Sequence, residues 1–114
     1  MTILVYGTGR MATTIAHSLQ SQGLDIICAG RNRIAVKALG DTLGVPWLVS
    51  PVDSDAIDKT LTDCTVLINA AGPFIHTAPM LMRKSVEQAT HYLDISNEFG
   101  RACQVVCVSG VVVV

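Results

Sequence analysis

The sequence predicts an α/β domain: a doubly wound parallel sheet of five or six strands, covered by helices in a three-layer α/β/α arrangement. Three observations predict it. Short apolar runs alternate with segments of helical periodicity, in the order β-α-β-α-β-α-β-α-β. The strand-like runs are apolar on both faces, as a sheet buried between helices requires. The segments between them are long enough for the right-handed crossovers that join parallel neighbours.

Each element follows from its residues. Ile3–Tyr6 is a short β-rich run. Met11, Ile15 and Leu19 recur every four residues beside Ala12 and Ala16, which makes one face of a helix, and Gly23 marks its stop. Asp25–Ala29 is a second strand. Asn32 caps a second helix, whose apolar face is Ala35, Leu39 and Leu43 with Val36, and Gly44 ends it. Val45–Val49 is a third strand, weakened by Pro46. Asp53 or Ser54 opens a third helix, with Asp55 near its positive end and Ile57 and Leu61 facing inward. Thr65–Asn69 is a fourth strand. Pro79 falls in the first turn of a fourth helix that runs to about Ala89, and Tyr92–Ile95 is a fifth strand.

Composition bounds the function. The chain has 114 residues, one domain's worth. Apolar residues are 50% and charged residues 15%, which argues against disorder. A net charge of −1 and 4% aromatics suit neither a polyanion nor a base-stacking platform, so nucleic acid is not an expected partner. Thr2–Tyr6 is too short for a secretory signal, and Val105–Val114 falls far short of the ~20 residues of a membrane span. Cys28, Cys64, Cys103 and Cys107 form no C-x-x-C pair, so no metal site is expected. They read as reduced thiols of a cytoplasmic protein.

The first strand is followed by Gly7-Thr8-Gly9-Arg10-Met11-Ala12 and then by a helix. This is a G-x-G-x-x-A fingerprint of dinucleotide binding, in the βα turn where it belongs. Gly7 permits the tight turn, Gly9 lets a pyrophosphate approach the backbone, and Ala12 lets helix and strand pack closely. The free N–H groups of the helix end then hold the phosphates. The alternative is a glycine turn without a ligand.

The end of the second strand distinguishes NAD from NADP. An NAD site usually carries Asp or Glu there, on the ribose 2′-hydroxyl. Here the residues are Cys28-Ala29-Gly30-Arg31-Asn32-Arg33, and Asp25 lies too early in the strand to substitute. Arg31 suits an adenosine 2′-phosphate through its planar fork of donors, with Arg33 as a second charge and Asn32 supplying a hydrogen bond. NADP is therefore expected over NAD. The fourth strand ends in Asn69-Ala70-Ala71-Gly72-Pro73-Phe74, whose small residues let backbone pass close to a ribose. The same run also reads as an ordinary βα turn.

Taken in order, Gly7-Thr8-Gly9, Ala29-Gly30-Arg31-Asn32, Asn69-Ala70-Ala71-Gly72-Pro73-Phe74 and His91-Tyr92-Leu93-Asp94 through Glu98 resemble the Rossmann-like NADP-binding domain of the saccharopine dehydrogenase-like family, with its saccharopine reductase and trans-acting enoyl reductase branches. The resemblance covers roughly residues 1–99. It implies that Gly7, Gly9 and Arg10 form the phosphate loop and that Arg31 contacts the adenosine phosphate. It also implies that Ala71–Phe74 and the Tyr92–Asp94 strand end lie beside ribose and nicotinamide. Three positions depart from the pattern. Ala89 and Thr90 stand where the fourth helix usually ends in Gly, and a left-handed cap at Ala costs ~1 kcal/mol. Asn97 replaces a Gly, and Ser85 replaces a Cys. Residues 100–114 match poorly and read as a last strand or a truncation, so no substrate domain is expected in the chain.

The function expected is that of the NADP(H)-binding domain of an oxidoreductase, binding cofactor but inactive without a separate substrate domain. Its cofactor contacts are Gly7, Thr8, Gly9, Arg10, Met11, Arg31, Asn32, Arg33, Ala70, Ala71, Gly72 and Pro73. Asp94 and Glu98 are the candidates for contact with nicotinamide or substrate. His76 and His91 are possible acid–base groups, and a Tyr-x-x-x-Lys pair is missing because Ser96 follows Tyr92 by four. The alternative is a stand-alone nucleotide-binding or regulatory module without catalysis. The apolar tail and open sheet edge suggest a homodimer.

Overall fold

In the computed structural model, described for residues 1–72, 74–94 and 104–106, ten elements follow one another. They are β1 (Thr2–Tyr6), α1 (Arg10–Ser21), β2 (Asp25–Gly30), α2 (Arg33–Leu43), β3 (Trp47–Val49), α3 (Asp55–Leu61), β4 (Val66–Asn69), α4 (Phe74–Glu87), β5 (His91–Asp94) and β6 (Gln104–Val106). The strands form one sheet in the order β3-β2-β1-β4-β5-β6. The chain thus builds outward from β1 in one direction, then returns to place β4 on the other side. The β1–β4 boundary is where the strand order reverses, and open α/β sheets bind ligands outside the strand ends at such a boundary.

The period of two along β1 sorts the core into its two layers. Ile3 and Val5 face Ala12 and Ala16 of α1 and Leu39 of α2, together with Ile26, Cys28 and Ile68. Leu4 and Tyr6 face Ile57 and Leu61 of α3 and Leu81 of α4, with Ala29, Leu67 and Tyr92. The second layer also holds an ion pair: Lys84 Nζ lies 2.6 Å from Asp58 Oδ2, with the lysine nearly buried, and joins α4 to α3. Ser85, at the position where a Cys is expected, is fully buried and its Oγ has no hydrogen-bond partner among the described residues.

Several expected boundaries move, each for a local reason. The third strand begins at Trp47 instead of Val45, because Pro46 has no N–H for the ladder, although its carbonyl accepts the Cys28 N–H at 3.0 Å. Ser54, not Asp53, caps α3, its hydroxyl accepting the Ala56 N–H at 3.2 Å. The fourth helix begins at Phe74, so Pro79 lies inside it and not in its first turn. Thr77 ties that earlier turn to the preceding loop by donating to the Ala71 carbonyl at 2.8 Å, and Pro79 is exposed. The helix ends at Glu87, and Ala89 takes φ 55, the left-handed conformation anticipated at this position.

The sixth strand pairs antiparallel to β5, with Tyr92 opposite Val106 and Asp94 opposite Gln104. The other five strands are parallel. The nine residues between β5 and β6 are too few for a crossover, which takes a dozen or more, so the chain returns alongside the strand it has just left. Ile95, the Asn97 departure and the Val111–Val114 end lie outside the described residues.

Candidate functional site

Gly7 joins three strand ends. Its φ is 131°, a conformation closed to L side chains, and a Cβ there would lie 2.8 Å from the Ala70 carbonyl oxygen. Its N–H donates to Ala29 O at 2.8 Å, while Ala70 N donates to Tyr6 O at 2.8 Å. The ends of β1, β2 and β4 are thereby pinned around one residue. Two residues on, α1 starts with Gly9 as its cap, in extended backbone and without a side-chain hydrogen bond. The first-turn amides of Arg10, Met11 and Ala12 have no intrahelical acceptor. No acidic residue occupies that turn. A Cβ on Gly9 would meet nothing within 4 Å, so the space in front of these amides is open. This is a cradle of donors at the positive end of a helix, suited to a phosphate.

The second wall comes from the β2–α2 turn. Gly30 is buried, and a Cβ there would press on Val36 Cγ2 at 2.9 Å and Thr8 Cγ2 at 3.0 Å. It lets the phosphate loop pack on the start of α2. Gly30 is not among the expected cofactor contacts, although it stands in the Ala29-Gly30-Arg31-Asn32 run that carries the resemblance. Arg31 then projects outward, exposed. Asn32 caps α2, its Oδ1 accepting the Ala35 N–H at 3.1 Å. Arg33 turns away from the cleft, and its guanidinium sits 5.7 Å from the centre of the Trp47 ring. Tyr6 forms the floor, donating to Ser50 O at 2.7 Å. Burial pushes its hydroxyl up to about 12, with the Arg31 charge opposing the shift and Asp53 assisting it.

The third wall is the turn after β4, held by a buried polar network. Asn69 donates through Nδ2 to Thr77 Oγ1 and to the Tyr92 hydroxyl, both at 3.0 Å. Its Oδ1 accepts the Ala71 N–H at 3.0 Å. The Tyr92 hydroxyl in turn donates a hydrogen bond to Asp94 Oδ2 at 2.9 Å. Asn69 and Asp94 are fully buried and Tyr92 nearly so. Each hydrogen thus has an acceptor and the turn is fixed from below. Burial raises the Tyr92 hydroxyl far above the usual tyrosine range, so it stays protonated.

Together these walls enclose a cleft of 260 Å³, lined by Tyr6, Gly7, Thr8, Gly9, Gly30, Arg31, Asn32, Ala70, Ala71, Gly72 and Thr77. Of the expected contacts, Gly7, Thr8, Gly9, Arg31, Asn32, Ala70, Ala71 and Gly72 are brought together. Arg10 and Met11, in the first turn of α1, are exposed and do not line it, and neither does Arg33. Asp94 lies behind the turn, buried beneath Tyr92. Pro73 and Glu98 lie outside the described residues. His76 and His91 are exposed and line no part of the cleft. A larger hollow of 590 Å³ at the opposite end of the sheet has one charged side chain, Asp25, and no comparable set of donors.

Cys28 and Cys64 are buried and unpaired, and burial raises the Cys28 thiol to about 11 and lifts Cys64 in the same direction. Cys103 and Cys107 lie outside the described residues. Among the described residues no three His, Cys, Asp or Glu side chains gather as a metal site. No helix among them is long and apolar enough to cross a membrane.

A parallel sheet with its cleft at the strand-order reversal, beside an unblocked helix end and an arginine in place of an acid, defines an NADP-binding α/β domain. The chain belongs to the family of the saccharopine dehydrogenase NADP binding domain, whose model matches residues 3–108, a span that takes in every element including β6. Among solved structures, yeast methylglyoxal/isovaleraldehyde reductase in complex with NADPH is 18% identical with a TM-score of 0.66, over 78% of this chain and 34% of that one. Synechocystis arogenate dehydrogenase is 16% identical with a TM-score of 0.67, over 85% of this chain and 33% of that one. The nucleotide-binding domain of glutamyl-tRNA reductase from Thermoplasma volcanium is 28% identical with a TM-score of 0.51, over 60% of this chain and 47% of that one. The chain therefore spans about a third of the length of the first two enzymes. None of the curated proteins matches it.

Proposed function

We propose that the chain holds NADP along this cleft and presents its nicotinamide for hydride transfer in an oxidoreductase. The observation that carries the reading is the open, donor-lined end of α1 facing a cleft that Arg31 lines where β2 ends without an acid. Gly7, Thr8 and Gly9, with the amides of Arg10 and Met11, hold the pyrophosphate. Arg31 and Asn32 hold the adenosine phosphate, with Arg33 adding positive charge from its seat on Trp47. Ala70, Ala71 and Gly72 lie against the ribose and the nicotinamide, and Pro73 is the further candidate in that run. The bound nicotinamide supplies the redox chemistry, and these residues bind and orient it. Asp94 acts as a positioning residue through Tyr92, and Glu98 is the candidate for contact with nicotinamide or substrate.

In this reading a substrate-binding and dimerising region, or a partner chain that carries one, supplies the residues that choose the substrate. Residues 1–99 are read as the cofactor domain, and β6 (Gln104–Val106) adds an edge strand to its sheet. A cytoplasmic location is supported by the unpaired buried thiols Cys28 and Cys64.

A calorimetric titration with NADPH and, separately, NADH tests the reading. Micromolar NADPH binding with much weaker NADH binding is expected. Arg31→Ala then weakens NADPH by about 10- to 100-fold, the range for one charge-assisted phosphate contact, and removes the preference. Absence of binding of either cofactor at millimolar concentration overturns it.

A further inference from the structure

Thr77 uses its hydroxyl differently from Thr13, Thr14 and Thr60. Those three each donate to the carbonyl four residues back, a local bond that any helix offers. Thr77 reaches six residues back, out of α4, and donates to Ala71 O at 2.8 Å. The same hydroxyl accepts from Asn69 Nδ2 at 3.0 Å, which fixes the direction of its proton. Thr77 is buried, yet it lines the cleft. Packing alone would be served by Val, so the hydroxyl calls for another reason.

The bond to Ala71 O orients a whole peptide unit. A peptide is planar and trans, so a carbonyl and the N–H that follows it point in opposite directions. With Ala71 O drawn to Thr77, the Gly72 N–H is turned away from it. Gly72 is exposed and lines the cleft, and its N–H has no acceptor among the described residues. The two amides before it are committed: Ala70 N–H donates to Tyr6 O at 2.8 Å and Ala71 N–H to Asn69 Oδ1 at 3.0 Å. Pro73 has no N–H. Of residues 70–73, Gly72 therefore keeps the backbone donor that a ligand can use.

We propose that Thr77 is a positioning residue: by holding the Ala71 carbonyl it aims the Gly72 N–H at an oxygen on the nicotinamide half of the cofactor. This rests on the reading that the cleft holds NADP with its ribose and nicotinamide against Ala70–Gly72. The test titrates the wild-type chain, Thr77→Val and Thr77→Ser with NADPH and with adenosine 2′,5′-bisphosphate, which lacks the nicotinamide half. Thr77→Val binds NADPH about 3- to 10-fold more weakly, the range for one neutral hydrogen bond, and the bisphosphate as tightly as before. Thr77→Ser keeps the hydroxyl and binds both as the wild type does. Equal losses for the two ligands in Thr77→Val mark a merely structural role and overturn the proposal, as does wild-type affinity for both. Should Thr77→Val fail to fold, the wild-type chain decides. NADPH, but not the bisphosphate, slows hydrogen exchange of the Gly72 amide, followed by NMR; an unchanged rate with NADPH bound overturns the proposal. A wild-type chain that binds neither ligand removes the NADP reading and this proposal with it. Wild-type binding of both with an indifferent Thr77→Val removes this one alone.

Discussion

Removing one oxygen, by Tyr92→Phe, tests the network beneath the β4–α4 turn. The hydroxyl accepts from Asn69 at 3.0 Å and donates to Asp94 at 2.9 Å, and both partners are fully buried. Phe fills the same space, so no cavity forms and the cost is polar. Two lost bonds at about 1 kcal/mol each, plus a stranded donor on Asn69 at roughly 1–3 kcal/mol, put the destabilisation at about 3 kcal/mol. The Asn69 bond to Thr77 survives, which keeps the figure from rising further. For a domain of this size about 4 °C accompanies each kcal/mol, so the melting temperature falls by about 12 °C. The same change loosens Asn69, whose Oδ1 holds the Ala71 N–H, so NADPH affinity drops several-fold. Calorimetric melting and titration of one preparation read both effects. A melting temperature within 3 °C of wild type, together with unchanged affinity, would show that the network neither stabilises the fold nor holds the turn.

Gly7→Ala combines a φ of 131° with a Cβ 2.8 Å from backbone that cannot swing aside, and is expected to cost about 3 kcal/mol or more in urea denaturation. Ala89→Gly relieves a left-handed alanine at φ 55 and is expected to raise stability by about 1 kcal/mol, read as a higher urea midpoint with unchanged slope. Alkali is expected to destabilise the fold in a defined window. Both groups are acids whose folded values lie above their unfolded ones, Cys28 moving from 9.0 to about 11 and Tyr6 from 10.0 to about 12. Their contribution is complete below pH 9 and lost as pH climbs toward 12. Urea midpoints measured across this range check it, and Tyr6→Phe should flatten the upper part of the fall.

Local chemistry was legible in the sequence. The Asn32 cap and Gly44 stop fell where expected because each acts on amides or carbonyls within a turn of itself. Ala89 was marked as a strained cap for the same reason, and it adopts the left-handed conformation. The start of α4 was misjudged because proline statistics favour the first turn, whereas Thr77 anchors a turn that begins at Phe74. Gly30 belongs to a run that the sequence singles out, but its own part in the site depends on contact with Thr8 and Val36, on two other elements.

By itself the sequence determined the α/β class, the order of elements and the phosphate loop after the first strand, since these depend on periods of two and 3.6 and on side chains a few residues apart. Tertiary structure decided that Ala70 would lie against Gly7, that Arg33 would leave the cleft for Trp47, and that Asn69 would find Tyr92. It also set β6 antiparallel. Those outcomes depend on which strands become neighbours and on how the packed layers fill the space between them. No local pattern specifies a contact between residues that the chain brings together only when the sheet closes.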